Sequence, residues 1–354
     1  MSSRSETTPL WPATTSGTIA ILNLNAQIES DDSRVTASID ERIANIERLL
    51  VRGLLRGRIA DNERALELAE QLVNDSPDHA EAYFVRAKTR ATFHLFSAAL
   101  TDIDQALKAG IDKQRVDAER AAILQAVGRY DEALQIRQAA ASHALTFETA
   151  AALAVLHAER RDCDLAEQFF DESTTRYRGV SPFPLAMLDF QRGHLWHAEK
   201  QLPRARTWYL VALKRLPEFA AAQGHLAEIE AALGDAETAI ARLRRVVNTA
   251  DDPEFPAQLA WLLQSRGRTE ESRSLLAQSA ARYDELTQKH LEAFADHAAE
   301  FWLANGGGTE RALRYAEANF AIRQTPRALN LLQRAKHANS SGRAAQTRPY
   351  PEGG

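Results

Sequence analysis

This chain of 354 residues repeats itself with a period of about 34 residues, and that period limits the folds it can adopt. Ala65, Ala99 and Ala133 are each separated by one such period, and each lies in a segment whose apolar residues recur at the spacing of an amphipathic helix. Glycine-containing turns stand before such segments, for example at Gly128 and Gly234. Because a period of this length indicates stacked supersecondary units, the pattern predicts an extended array of helix pairs.

Eight units are predicted, beginning near residues 46, 80, 114, 148, 186, 220, 254 and 293. Helix starts are expected at seven capping residues, which are Ser76, Ser181, Asp252, Thr325, Asp235, Thr269 and Thr309. Two steps between units are longer than the common period. We expect the extra residues to form a loop at 177–184 and to lengthen helices at 281–290, so that the array divides into four, three and one units.

Over residues 43–336 the sequence resembles the tetratricopeptide repeat family, specifically a multi-repeat protein of the bacterial type. The unit at 186–218 shows this best, through Gly193, Trp196, Ala205, Tyr209, Ala212 and Pro217. The resemblance implies an all-α fold, a right-handed solenoid of about eight helix pairs with a C-terminal capping helix. Gly193 is expected where two paired helices touch, whereas Gly57 lies near a helix end, where added bulk is expected to matter less.

Three regions follow from this pattern: a flexible N-terminal segment at 1–37, the solenoid at 38–338 and a disordered tail at 339–354. Within the first region, residues 18–28 form a short apolar stretch. The favoured interpretation is an extended or strand-like piece packed beside the first helices, near Ile43 and Leu50. The alternative is a detachable segment that occupies the concave groove of the array.

Charge and composition bear on location and partners. The formal net charge is −5, from 43 Lys and Arg against 48 Asp and Glu, which argues against a nucleic-acid partner. The single cysteine excludes an internal disulfide. Residues 1–16 show no signal-peptide pattern, and no apolar run is long enough to span a membrane. We therefore expect a cytoplasmic protein that does not insert into membranes.

The resemblance implies that the first helix of each unit lines a concave groove and carries specificity at four of its positions. The later units hold more aromatic and imidazole side chains there. The predicted partner-binding residues are Met187, Phe190, His194, His197, Glu228, Trp261, Gln264, His297 and Phe301. Aromatic side chains on a concave surface supply large contact areas. The alternative interpretation is that Phe190, Trp261 and Phe301 pack between repeats.

A candidate metal site is formed by His194, His197 and Glu228. The two histidines are three residues apart on one predicted helix, and Glu228 stands at the equivalent of His194 on the next first helix. Two imidazoles and one carboxylate suit zinc, nickel or copper. The spacing matches no known zinc motif, so ordinary groove histidines are the favoured interpretation and no metal is predicted. His225 is expected to point toward the core.

Enzyme motifs such as a glycine-rich phosphate loop or His-Glu-x-x-His are absent from the sequence, and Cys163 is interpreted as an inert thiol. The sequence therefore predicts a noncatalytic scaffold, without a cofactor, that binds a protein or peptide partner in its groove and assembles a complex. The Lys and Asn pattern by which chaperone-binding family members hold a C-terminal carboxylate is missing. The alternative function is a ligand-responsive regulator that senses a peptide or a metal. The partner, the pathway and the oligomeric state stay open.

Overall fold

A computed structural model describes residues 12–32, 37–304 and 308–346 of the protein. Within these ranges every regular element is an α-helix. The helices are α1 (Gly17–Asp32), α2 (Ile39–Arg56), α3 (Ile59–Asp75), α4 (Ala80–Thr92), α5 (Phe96–Lys108), α6 (Lys113–Ala126), α7 (Tyr130–His143), α8 (Phe147–Glu159), α9 (Cys163–Arg176), α10 (Phe183–Ala198), α11 (Leu202–Arg215), α12 (Ala220–Ala232), α13 (Ala236–Val247), α14 (Glu254–Ser265), α15 (Thr269–Lys289), α16 (Leu291–Ala304), α17 (Thr309–Ile322) and α18 (Pro326–Gln346).

Helices α2 to α17 form eight consecutive pairs, from α2 with α3 to α16 with α17. First helices of neighbouring units also touch, as α2 does with α4 and α12 with α14, so the units stack side by side. Helix α18 packs on both α16 and α17 and covers the end of the stack. The prediction of an all-α solenoid of about eight helix pairs with a C-terminal capping helix is confirmed.

Small side chains at the repeat positions explain how closely the paired helices approach. Ala65, Ala99 and Ala133 are all fully buried, as the period predicts. On α10, a Cβ atom built on Gly193 would lie only 2.7 Å from the ring of Tyr209 on α11. The prediction that Gly193 lies where two paired helices touch is therefore confirmed.

Four of the seven predicted capping residues do hold a helix N-terminus. These are Asp235, Thr325, Ser181 and Asp252, each of which accepts a hydrogen bond from a backbone N–H two or three residues further on. The other three predictions are wrong. Thr269 and Thr309 are the first residues of their helices, and Ser76 follows the end of α3 instead of starting α4.

The extra residues between units lie where the repeat predicts them. Residues 177–182 connect α9 to α10, and the Tyr177 hydroxyl donates a hydrogen bond to the Ser181 carbonyl at 2.5 Å within this connection. Residues 281–289 extend α15 to 21 residues, whereas the preceding second helix, α13, has 12. The long α15 therefore reaches beyond the helix that it pairs with.

The solenoid also contacts itself across one superhelical turn, along a row of contacts that we call the seam. The seam joins the turns inside units one to three to the connections that follow units six to eight. At its first contact, the Asp251 carboxylate accepts hydrogen bonds from the backbone N–H groups of Ile59 (2.5 Å) and Ala60 (3.0 Å) at the start of α3. Since the residue preceding α3 supplies no side-chain cap, Asp251 caps this helix from 192 residues away.

Two further contacts continue the seam at nearly the same sequence separation. His94 donates from Nδ1 to the carbonyl of Glu292 at 2.9 Å, 198 residues away. The N–H of Gln324 donates to the carbonyl of Val127 at 3.1 Å. A separation of nearly 200 residues corresponds to about six units of 34 residues. The superhelix thus closes on itself after about six units, and the later first helices face the turns of the early ones.

Helix α1 extends this arrangement ahead of the first unit. Ile21, Leu24 and Ile28 are buried in the core that α1 shares with α2. Just before α1, the N–H of Thr15 donates to the carbonyl of Val180 at 2.8 Å, in the connection between units four and five. Helix α1 therefore occupies the place that the second helix of a preceding unit would take.

The prediction of an extended or strand-like piece at residues 18–28 is wrong, because this stretch is the middle of α1. It packs beside the first helices, as predicted, and the half-buried Ile43 and Leu50 adjoin the same core. The prediction of a disordered tail from residue 339 is wrong for its first part, because α18 continues to Gln346. The predicted flexible residues 1–11 and 33–36, and residues 347–354 of the tail, lie outside the described residues. None of the described helices is long and apolar enough to cross a membrane.

Candidate functional site

Closure of the superhelix creates a chamber of about 320 Å³ beside the seam. One wall consists of first helices of the later units and carries His225 of α12, Gln258 of α14 and His297 of α16. The opposite wall is the turn of the first unit, with Gly57 and Asn62. The chamber is therefore a partly open pocket on the predicted concave groove, and distant units meet to form its walls.

A cluster of charges dominates the α14 and α16 side of the chamber. The ring of His297 lies between two carboxylates, with Nδ1 3.2 Å from Glu254 Oε2 and Nε2 3.8 Å from Asp296 Oδ1. The charge of Asp296, together with Glu254, outweighs burial and raises the pKa of His297 to about 10. Asp252, next to the cluster, has its pKa raised to about 6 by burial and by Glu254. Arg323 and Arg327 add positive charge beside these carboxylates, so the cluster holds cations as well as anions.

The variant His297→Asn should lower the melting temperature more at pH 7 than at pH 10. Because the pKa of His297 is raised from 6.5 to about 10, its charge stabilises the fold fully below pH 6.5, and this contribution is lost as the pH rises toward 10. Thermal unfolding of parent and variant, followed by circular dichroism between these pH values, measures the change. His143→Asn on the exposed end of α7 is the control and should show no such trend. A difference for His297→Asn that does not depend on pH would contradict the ion cluster.

A second group of polar side chains lies on the neighbouring helices α10 and α12. Donor atoms of His197, His225 and Glu228 all lie within 4.8 Å of one another, and His225 Nδ1 is 3.0 Å from Glu228 Oε2. The His225 ring stacks on the ring of Tyr209 at 5.7 Å, and His197 meets the same ring edge-on at 6.2 Å. Burial lowers the pKa of His197, although the charge of Glu228 opposes this effect.

The structure brings some of the predicted groove residues together and separates others. Phe190, His194 and His197 surround His225, so this residue belongs to the group instead of pointing only into the core. Glu228 joins the same group, and His297 lines the chamber. Met187 is half-buried against the largest apolar core, and Gln264 is exposed near the end of α14.

The prediction that Phe301 lines the groove is wrong. Its ring is 2% exposed and packs 5.0 Å from Tyr283 and 5.1 Å from Trp302. Tyr283 belongs to the extra residues that lengthen α15, so the insertion covers the position that would otherwise face the groove. Trp261 is half-buried 6.5 Å from the Phe301 ring. For these two residues, the alternative of packing between repeats describes the contacts better.

Sequence reasoning missed the chamber residues Asn62, His94 and Glu254. Asn62 and His94 lie on early units, at the start of a second helix and in the turn of a unit. They contact the later units only because the superhelix closes, and the sequence of a single repeat does not predict this closure. Asp252 had a visible signal, as a predicted cap before a proline, although nothing in that pattern indicated a chamber.

No protein-family model matches the chain, and no curated protein sequence matches it. Solved structures are similar to it in fold. The human IFIT1 dimer with PPP-AAAA is 13% identical with a TM-score of 0.54, over 88% of this chain and 74% of IFIT1. The APC/C hetero-tetramer Cut9–Hcn1 is 13% identical with a TM-score of 0.50, over 89% of this chain and 62% of the matched chain. These similarities show the fold alone, which is an all-α helical repeat solenoid.

Proposed function

We propose that this protein is a noncatalytic scaffold that binds an extended segment of a partner protein in the chamber and thereby assembles a complex. The observation that carries the proposal is the chamber itself, which is lined by first helices of the later units and by the first unit. A volume of about 320 Å³ accepts side chains of an extended chain but no folded domain. A cytoplasmic location and the bacterial type of the repeat stay predictions.

The charges in the chamber favour a basic segment. Asp252, Glu254 and His297 line the chamber. Asp296 lies beside His297, and Arg323 and Arg327 supply two further cations close to these carboxylates. A Lys or Arg side chain of the partner that reaches Asp252 and Glu254 would gain attraction from these two carboxylates. The overall charge of −5 acts in the same direction at longer range.

The same carboxylates argue against an RNA ligand, which the IFIT1 structures raise as an alternative. A phosphate entering the chamber would meet carboxylates of the same sign, and such juxtapositions cost several kcal/mol. Arg323 is paired with Asp296 at 3.2 Å, while Arg327 and Arg58 add positive charge near these carboxylates, so the argument against a phosphate rests on Asp252 and Glu254 in the lining. We therefore place the protein or peptide partner ahead of a nucleic acid.

Selection of random peptides on the purified chain tests the proposal. We expect the selected peptides to be enriched in Lys and Arg, and we expect Glu254→Gln to weaken their binding by about tenfold or more because a hydrogen-bonded charge pair is lost. The matched control is Glu237→Gln, which removes an exposed carboxylate on the second helix α13 and should leave the Kd unchanged. Fluorescence anisotropy measures both, and the melting temperature shows that each variant is folded.

Two results would oppose the proposal. Selected peptides without basic residues, or the same Kd for parent and Glu254→Gln, would remove the chamber as the binding site. Saturable binding of PPP-AAAA in place of any peptide would favour the RNA alternative.

A ligand-responsive regulator is the second candidate, and the hydrogen bonds of the seam favour it. The seam contacts at Asp251, His94 and Gln324 are hydrogen bonds that water can replace. A segment that enters the chamber could therefore shift the equilibrium between a closed and an open superhelix. Small-angle X-ray scattering with and without a selected peptide distinguishes this regulator from a rigid scaffold, because only the regulator changes its radius of gyration.

A further inference from the structure

The group formed by His197, His225 and Glu228 has the composition of a divalent metal site, and its donor atoms lie close to the positions that such a site requires. His225 and Glu228 are three residues apart on α12, so their side chains lie one turn apart on the same face. His197 reaches them from α10, the first helix of the preceding unit. Neighbouring repeats therefore supply two imidazole nitrogens and one carboxylate to a single point.

The distances require only small movements. In a tetrahedral site with metal–ligand bonds of about 2.1 Å, donor atoms are separated by roughly 3.4 Å. Here His225 Nδ1 and Glu228 Oε2 are 3.0 Å apart, and no pair of donor atoms in the group exceeds 4.8 Å. Rotations that move side-chain atoms by about 1 Å close the remaining gap, well within the freedom of half-buried side chains.

The surroundings restrict the two imidazole rings. Tyr209 is fully buried between α10 and α11, and it holds His225 by stacking and His197 by an edge contact. The amide of Gln258, on α14, lies 3.5 Å from the Glu228 carboxylate and adds a contact from outside the group. Hydrogen-bonding partners such as Gln258 are the usual support of metal ligands in proteins, whereas the contacts of Tyr209 only limit how the two imidazole rings turn.

We propose that His197, His225 and Glu228 bind one zinc ion, with the fourth position open to water. Two histidines and one carboxylate are a known ligand set for zinc with an open position. The ion would tie α10 to α12 and so stiffen the junction between the fifth and sixth units. The proposed zinc site shares His225 with the chamber wall. It does not rest on the partner proposed above, because neither Glu254 nor another residue of the His297 cluster is a ligand.

Zinc titration of the intact chain at pH 7 by isothermal calorimetry tests the site. We expect a stoichiometry of one and a rise in melting temperature on zinc addition, because the ion binds the folded state. Co²⁺ should give the intense visible absorption of a four-coordinate ion. His197→Gln and Glu228→Gln should each weaken zinc binding by about tenfold or more. Both side chains are partly exposed, so the variants are expected to fold, and circular dichroism checks this.

Matched controls identify the ligands. His194→Gln removes the imidazole nearest to the group, with its ring 5.5 Å from that of His225, and should leave the Kd for zinc unchanged. His143→Gln removes an exposed histidine far along the chain, on α7, and should also have no effect. Absence of saturable binding would overturn the proposal. Equal affinity in parent and His197→Gln, or loss of binding only in His194→Gln, would do the same.

Discussion

Gly57→Leu is expected to destabilise the protein by about 3 kcal/mol, from backbone strain of about 1–2 kcal/mol and overpacking of about 1–3 kcal/mol. Gly57 adopts a φ of +61°, in the left-handed region that side chains disfavour. A Cβ atom there would also lie 2.8 Å from the ring of Phe255 and 3.3 Å from the Cβ atoms of Ala220 and Ala250, across the seam. Urea unfolding followed by circular dichroism measures the loss.

The matched control is Gly267→Leu. Gly267 has a φ of +74°, close to that of Gly57, but a Cβ atom there meets nothing within 4 Å. It should therefore show only the backbone cost of about 1–2 kcal/mol. Asp251→Ala, which removes the cap of α3 across the seam, should cost about 1 kcal/mol without any backbone strain. Equal losses for the two glycine variants, together with no loss for Asp251→Ala, would mean that the seam does not form.

This expected loss is larger than the sequence indicates, because the sequence placed Gly57 near a helix end, where added bulk was expected to matter less than at Gly193. The repeat pattern records which residues meet within a unit and between neighbouring units, because those contacts recur in every unit. Closure of the superhelix depends instead on small rotations that add up over about six units. Gly57 and Asp251 come into contact only because these rotations accumulate, so the repeat pattern contains no signal for their contact.

The residues of the candidate site also differ in whether the repeat period predicts them. His197 and Glu228 were predictable because they occupy groove positions of neighbouring first helices, which the period relates directly. His225 was assigned to the core because its contact with His197 depends on the exact angle between α10 and α12. Phe301 failed for a different reason, since Tyr283 from the lengthened α15 covers it. The insertion was predicted, but where its side chains pack was not.

The spacing of apolar residues in the N-terminal segment indicates a helix, although the sequence interpretation favoured an extended piece. Ile21, Leu24 and Ile28 follow a spacing of three and four residues, which is the period of a helix face and not of a strand. All three are buried, while Ile19 and Leu22 on the other side are exposed. The pattern therefore predicts a helix and its buried face. It does not predict that this helix packs against α2.

Gly193→Leu is the second large effect that we expect, with a loss of about 3 kcal/mol in the free energy of unfolding, at the upper end of overpacking costs. The added side chain would overlap the ring of Tyr209, 2.7 Å from the Cβ position, and that ring is fully buried and cannot move aside. Urea unfolding gives the loss, and Ala198→Leu, an exposed site on the same helix, should change it by about 0.5 kcal/mol or less.

A double-mutant cycle makes this prediction specific to the pair of helices α10 and α11. Tyr209→Ala removes the ring and leaves a cavity, which alone should cost about 3–5 kcal/mol. Combined with Gly193→Leu, it should cost less than the sum of the two single losses, because the leucine occupies space that the ring has vacated. Additive losses would show that Gly193 and Tyr209 do not touch. A Gly193→Leu variant that unfolds like the parent would show that the phase of the repeat is wrong in this unit.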